Sequence, residues 1–174
     1  MVSDNKEMRQ IRPLYTPEER QRRDSTRWTL VQGLLAPIQF FVFLISVVLV
    51  VRYLQTGQGE TAATISIVIK TFLLYTIMIT GCIWEKVVFG RYLFAHSFFW
   101  EDVFSMLVLA LHTAYLFALL NGSLTVKEQM LLALAAYATY IINAIQFLLK
   151  LRAARLQSKG GTDNQSMKPQ GVIA

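Results

Sequence analysis

Chemistry that runs through sulfur has almost nothing to work with in this chain. The one cysteine, Cys82, lies inside an apolar run. It therefore makes no intramolecular disulfide and no cysteine metal site, and reads as a small buried hydrophobe. HExxH, CxxC and GxGxxG are all missing, which removes the common zinc, dithiol and dinucleotide signatures. Charge is scarce as well. Only 16% of residues are charged and 54% are hydrophobic, against roughly 25% charged in a soluble domain. Residues 1–27 are too long and too charged for a cleavable signal peptide, which joins a short basic head to an apolar core.

What is present falls into blocks. Four apolar runs, at about 28–53, 62–84, 103–120 and 129–149, each approach the ~20 residues a helix needs to cross hydrocarbon. The sequence thus predicts an all-α integral membrane four-helix bundle, with a four-span domain over 28–156. In the preceding segment, 1–27, "YTPEERQRRD" predicts a short amphipathic or surface helix. Thr16 is its cap, Pro17 its first residue and Glu19 the return partner of a capping box. Residues 157–174, polar and carrying Gly160, Gly161 and Pro169, are expected to be a disordered tail. No internal repeat is visible.

The formal net charge is +6, but its distribution argues against nucleic acid as a partner. Lys and Arg number seven in the N-terminal segment and five from Lys150 onward. Between these lie Lys86 and Arg91 in the second connection, Lys127 in the third, and none in the first. By the positive-inside rule, the N-terminus, the second connection and the C-terminus are cytoplasmic.

That second connection is the oddest part of the chain. "WEKVVFGRYLFAHSFFWEDVFSM" packs its aromatics among Glu85, Lys86, Arg91, His96, Glu101 and Asp102. Its rings suit a membrane interface, where one end of an amphipathic ring is wet. Polar residues also recur inside the spans at helical spacing. Gln32, Ala36, Gln39, Phe43 and Ser46 share one face, with Pro37 expected to kink the run. Glu101, Ser105, Val108 and His112 share another, and Tyr140, Asn143 and Gln146 a third. Lys70 lies about eight residues, or roughly 12 Å, inside its span, and either snorkels outward or is held by a partner. With the topology above, Gln39, Lys70, His112 and Tyr140 fall at one depth. Glu85, Glu101, Asp102 and Gln146 fall at the cytoplasmic end. The result is a polar seam with its mouth at the aromatic connection. Helix–helix hydrogen bonding, solvated helix ends and an interfacial aromatic belt are the plainer readings of the same residues.

Five blocks, "LYTPEERQRRD", "WTLVQGLLAPIQF", "LYTIMITGCIWEKVVFGRYLFA", "FFWEDVFSMLVLALHTAY" and "INAIQFLLKLRAARL", resemble the 3-vinyl bacteriochlorophyllide hydratases of bacteriochlorophyll synthesis in purple photosynthetic bacteria. The resemblance covers about residues 14–156. It implies a multi-pass enzyme of the bacterial inner membrane that adds water to the C3-vinyl group of chlorophyllide a or 3-vinyl bacteriochlorophyllide a. The 1-hydroxyethyl product is then open to a dehydrogenase. The implied partners are a magnesium tetrapyrrole, water, the lipid bilayer and other pigment-synthesis enzymes. No cofactor and no resident metal are implied, because hydration leaves the overall oxidation state unchanged. His96 stands where the family carries small residues or proline, and is a weak candidate for chemistry.

Such a reaction needs a general acid, an oriented water and a flat apolar slot. Glu101 or Asp102 is the expected acid, with Glu85 as alternative acid or water-orienting base. His112 is a candidate axial ligand to the pigment's magnesium, or a pocket hydrogen bonder. Lys86 or Arg91 is placed to pair with the pigment's carboxylate. Trp84, Phe98, Phe99 and Trp100 are candidate slot walls. Two other classes use the same residues: a non-catalytic pigment-binding or pigment-handover protein, and a small transporter or quinone-site protein built around Lys70 and His112. A carrier tolerates Glu→Gln changes, whereas a hydratase does not.

Overall fold

The helices begin and end where the sequence supplies caps. The computed structural model describes residues 14–166, with side chains as far as residue 156. Helix α1 (Pro17–Ser25) starts on the expected capping box. Thr16 Oγ1 accepts from Glu19 N at 3.2 Å, and Thr16 N donates to Glu19 Oε2 at 2.8 Å. Its sequence, PEERQRRDS, buries no residue, so it is a polar surface helix and not an amphipathic one. The apolar anchor lies just before it. Tyr15 is buried, stacks on Phe89 at 5.7 Å and carries the Arg23 guanidinium over its ring at 4.7 Å. Burial raises its phenol above the ordinary value.

Four long helices follow: α2 (Arg27–Thr56), α3 (Glu60–Phe89), α4 (Phe99–Asn121) and α5 (Val126–Ser166). All four are long and apolar enough to span a membrane, and the protein is a multi-pass membrane protein. Each helix outruns its apolar stretch, because the polar residues at the ends of the runs belong to the helices. Thr26 caps α2, Glu60 opens α3, and Glu101 and Asp102 fill the first turn of α4. Pro37 lies within α2. Gly57, Gly90 and Gly122 close α2, α3 and α4 at positive φ of 69°, 78° and 61°, a left-handed ending that glycine takes without steric cost. Where a disordered tail was expected from residue 157, α5 instead continues to Ser166. Extending a helix already nucleated by a long span adds a hydrogen bond per residue at little cost. Residues 1–13 and 167–174 of the two expected terminal segments lie outside the described residues.

Short connections make α2 and α3 one antiparallel hairpin, and α4 and α5 another. The core between them is built from Phe43, Val50, Ile67, Leu74, Val108, Tyr115 and Tyr137. Large apolar side chains such as Leu30, Phe41, Phe72, Ile79, Phe117 and Leu148 point outward, as lipid-facing surface requires. Several threonine and serine hydroxyls within the spans are satisfied. Thr71, Thr76 and Thr113 each donate to the carbonyl four residues back at 2.8–2.9 Å. Ser46 bonds Ser66 and Tyr137 across three helices. The expected inward faces hold for Gln39, Phe43 and Ser46, for Glu101, Ser105, Val108 and His112, and for Tyr140 and Asn143. Ala36 departs from this: it is exposed, because the buried stripe of α2 runs 39, 43, 46, 50.

Candidate functional site

Between the hairpins, residues 90–98 cross from α3 to α4. This connection is held by its flanking carboxyl groups. Glu85, on the last turns of α3, accepts from Ala95 N at 3.3 Å through Oε2. Asp102, on the first turn of α4, accepts from Phe94 N at 2.7 Å through Oδ2. Phe94 has a φ of 58°, the left-handed region that a bulky residue rarely enters. The two carboxyl groups thus hold neighbouring backbone N–H groups of the one connection. Two buried carboxyls brought this near each other disfavour carrying two negative charges. Glu85 is 6% and Asp102 3% exposed, so both carboxyls sit in a largely water-free place.

Glu101 turns elsewhere. Its Oε2 accepts from Lys150 Nζ on α5 at 2.9 Å, and Lys150 also lies 5.4 Å from the Phe98 ring. Of the three carboxyls singled out in the sequence, the fold therefore joins Glu85 with Asp102 and gives Glu101 a cation of its own. Adjacency in sequence concealed this, because neighbours on a helix point about 100° apart. Lys150 reads in the sequence only as the first charge of the tail, and its role emerges when α5 packs on α4.

The aromatic and basic candidates divide in the same way. Trp84 donates through Nε1 to Thr29 Oγ1 at 2.9 Å and meets Phe89 and Phe98 edge-on at 5.7 and 5.8 Å. Phe98 is 2% exposed and packs with Tyr15, Val88 and Ala154. These two rings hold the end of the bundle together. Phe99 and Trp100 face outward and meet edge-on at 5.6 Å. Lys86 donates to Gly90 O at 2.9 Å, closing α3, and lies over the Tyr92 ring at 5.1 Å. Arg91 and His96 are exposed.

Deeper in the bundle, Lys70 does not snorkel. It is fully buried, with Nζ 3.9 Å from the centre of the Tyr140 ring. His112 Nδ1 bonds Val108 O at 2.8 Å, and its ring lies 5.8 Å from that of Tyr137. Asn143 donates to Ser105 Oγ at 2.8 Å. Among the described residues, no three His, Cys, Asp or Glu side chains gather as a metal site.

Comparison with known proteins adds the family. The family model described as 2-vinyl bacteriochlorophyllide hydratase (BCHF) matches residues 15–153. A curated protein of that name from Rhodobacter capsulatus is 70% identical over 145 residues, covering 83% of this chain and 84% of the relative. Another, from Cereibacter sphaeroides, is 71% identical over 145 residues, covering 83% of this chain and 90% of the relative. No solved structure matches. The match takes in the carboxyl pair, the aromatic connection and all four spans, and the chain belongs to the 2-vinyl bacteriochlorophyllide hydratase family.

Proposed function

We propose that this protein hydrates the vinyl group of a chlorophyllide-type tetrapyrrole in bacteriochlorophyll synthesis, and that Glu85 and Asp102 supply the proton. The family match over residues 15–153 carries the reaction. The burial of two carboxyls that hold neighbouring backbone groups of the connection supports its location.

The chemistry follows from what an alkene needs. The protonated member of the pair gives its proton to the terminal vinyl carbon. The cation left on the inner carbon is delocalised into the macrocycle. Water attacks that carbon and loses a proton to the carboxylate, which restores the pair. One water is consumed, a 1-hydroxyethyl group is formed, and no electron leaves the system. A buried carboxyl beside a second one is the kind of group that can hold a proton for general acid catalysis. The backbone N–H groups of Phe94 and Ala95 hold the two carboxyls in place. Glu101, paired with Lys150, is a positioning residue that ties α5 to the start of α4.

In this reading the outward-facing Phe99 and Trp100 provide apolar surface for the pigment, while Trp84 packs inward on Phe89 and Phe98. Arg91, with Lys86 beside it, offers positive charge to the pigment's carboxylate. The distribution of Lys and Arg supports a cytoplasmic position for this end of the bundle and for both termini, at the bacterial inner membrane. There a flat amphiphilic pigment can approach along the interface, and a dehydrogenase acting on the new hydroxyl can follow.

The test is incubation of membranes containing the protein with chlorophyllide a in oxygen-18 water, followed by mass spectrometry. Hydration gives a pigment heavier by one labelled water, absent with control membranes. Pigment bound by folded protein yet chemically unchanged would replace this reading with the carrier.

A further inference from the structure

The seam between the hairpins holds polar atoms that the protein leaves unmatched. Lys70 Nζ, Gln39 Nε2 and His112 Nε2 have no hydrogen-bond partner among the described residues, and the residues are 0%, 3% and 1% exposed. They come from α3, α2 and α4, and two of them meet tyrosines of α5. Lys70 lies over Tyr140 and His112 lies beside Tyr137. Phe43, one turn along from Gln39, touches both rings at 5.4 and 4.9 Å. Lys70 and His112 are within electrostatic reach of each other. The neighbouring Ser46, Ser66 and Tyr137 hydroxyls are satisfied, so the mismatch is local.

The hydrogen-bonding roles are fixed by chemistry. A carbonyl only accepts, so His112 Nδ1 must donate to Val108 O. In the neutral ring Nε2 is then a bare acceptor. Lys70 and Gln39 Nε2 offer N–H donors. A carboxylate would suit the two donors but face the His112 lone pair. A metal ion would suit the lone pair but face the two donors. A water suits all three, accepting from Lys70 and Gln39 and donating to His112, and buried waters take two to four such bonds.

We infer that Lys70, Gln39 and His112 hold a buried water at the centre of the bundle. A role for that water in the reaction rests on the hydratase reading. The enzyme consumes a water each turnover inside an apolar scaffold, and Asp102 lies ten residues along α4 from His112, roughly 15 Å. Ser105 and Asn143, whose Oδ1 is also unmatched, lie between. The central site is then a store that feeds the carboxyl pair, and its three residues position water without touching pigment.

The experiment is radiolytic footprinting of the purified, pigment-free protein in oxygen-18 water, where radicals formed from a bound water oxidise the side chains beside it. Tyr140 and His112 are expected to be labelled despite their burial, well above Phe98, which is buried in an apolar cluster. Q39L with K70M is expected to cut the labelling of Tyr140 and His112 at least about fivefold by removing two of the water's partners, leaving exposed Tyr92 unchanged. Labelling no greater than at Phe98 in the native protein overturns the inference, whether or not the double variant folds. So does labelling that persists in a folded double variant. A dry native centre together with lost pigment binding in H112L would hand His112 to the pigment's magnesium. The readout does not involve hydration, so the water site and the hydratase reading can fail separately.

Discussion

Lys150 on α5 donates to the carboxylate of Glu101 on α4 at 2.9 Å, with the Glu101 side chain 8% and the Lys150 side chain 26% exposed. Removing one member leaves a poorly solvated charge behind. K150M and E101Q are each expected to cost about 2 kcal/mol, below the cost for a fully buried pair because the lysine is partly wet. The double variant should cost less than the sum of the singles. Thermal unfolding in mild detergent of the singles and the double checks this. Additive losses would mean the pair does not couple.

Tyr15 anchors the chain ahead of α1 by stacking on Phe89 and contacting Phe98. Y15A should remove about 3 kcal/mol of packing and let α1 come away from the bundle. Trypsin should then cleave at the α1 arginines, Arg20, Arg22 and Arg23, at least about tenfold faster. Unchanged cleavage would mean the cap alone fixes α1.

The aromatic connection contains two phenylalanines with opposite roles. Phe98 is buried among Tyr15, Val88 and Ala154, and F98A should cost about 3 kcal/mol. Phe94 is partly exposed and sits at φ 58°. F94G relieves a left-handed strain of about 1 kcal/mol and gives up its ring contact with Phe99 at 5.7 Å. Its stability should stay within about 1 kcal/mol of native, since the two effects oppose. Side-by-side unfolding of the two variants tests the contrast.

Lys86 is occupied in closing its own helix at Gly90, whereas Arg91 is exposed. R91Q should therefore raise KM for the pigment about tenfold, the order of one charged hydrogen bond, with kcat little changed. K86Q should have the smaller effect. Equal KM values in native protein and both variants would place the pigment's carboxylate elsewhere.

Much of this architecture is legible in the sequence because lipid imposes a simple rule. Apolar runs of sufficient length become spans, and Thr16, Pro17 and Glu19 announce α1. The ends are less legible, since Glu60 and Glu85 fall in connections by sequence but lie within α3. Lys70 shows its depth but not its seat over Tyr140. The site itself depends on rotation. Glu101 and Asp102 look like a pair because they are adjacent, and only packing reveals that one faces Lys150 and the other Glu85. Trp84 and Phe98 have the composition of slot walls, yet contacts from Thr29 and Tyr15 draw them into the structure.

The most direct test of the central claim compares rates of pigment hydration by native protein, E85Q, D102N and E101Q at equal amounts of folded protein. Loss of general acid–base catalysis lowers the rate about 10²–10⁴-fold, and that loss is predicted for E85Q and D102N. E101Q is predicted to stay within about tenfold of native, because it acts only through the position of α5. Full activity in both E85Q and D102N, or a loss confined to E101Q, would contradict the assignment of the proton to the Glu85–Asp102 pair.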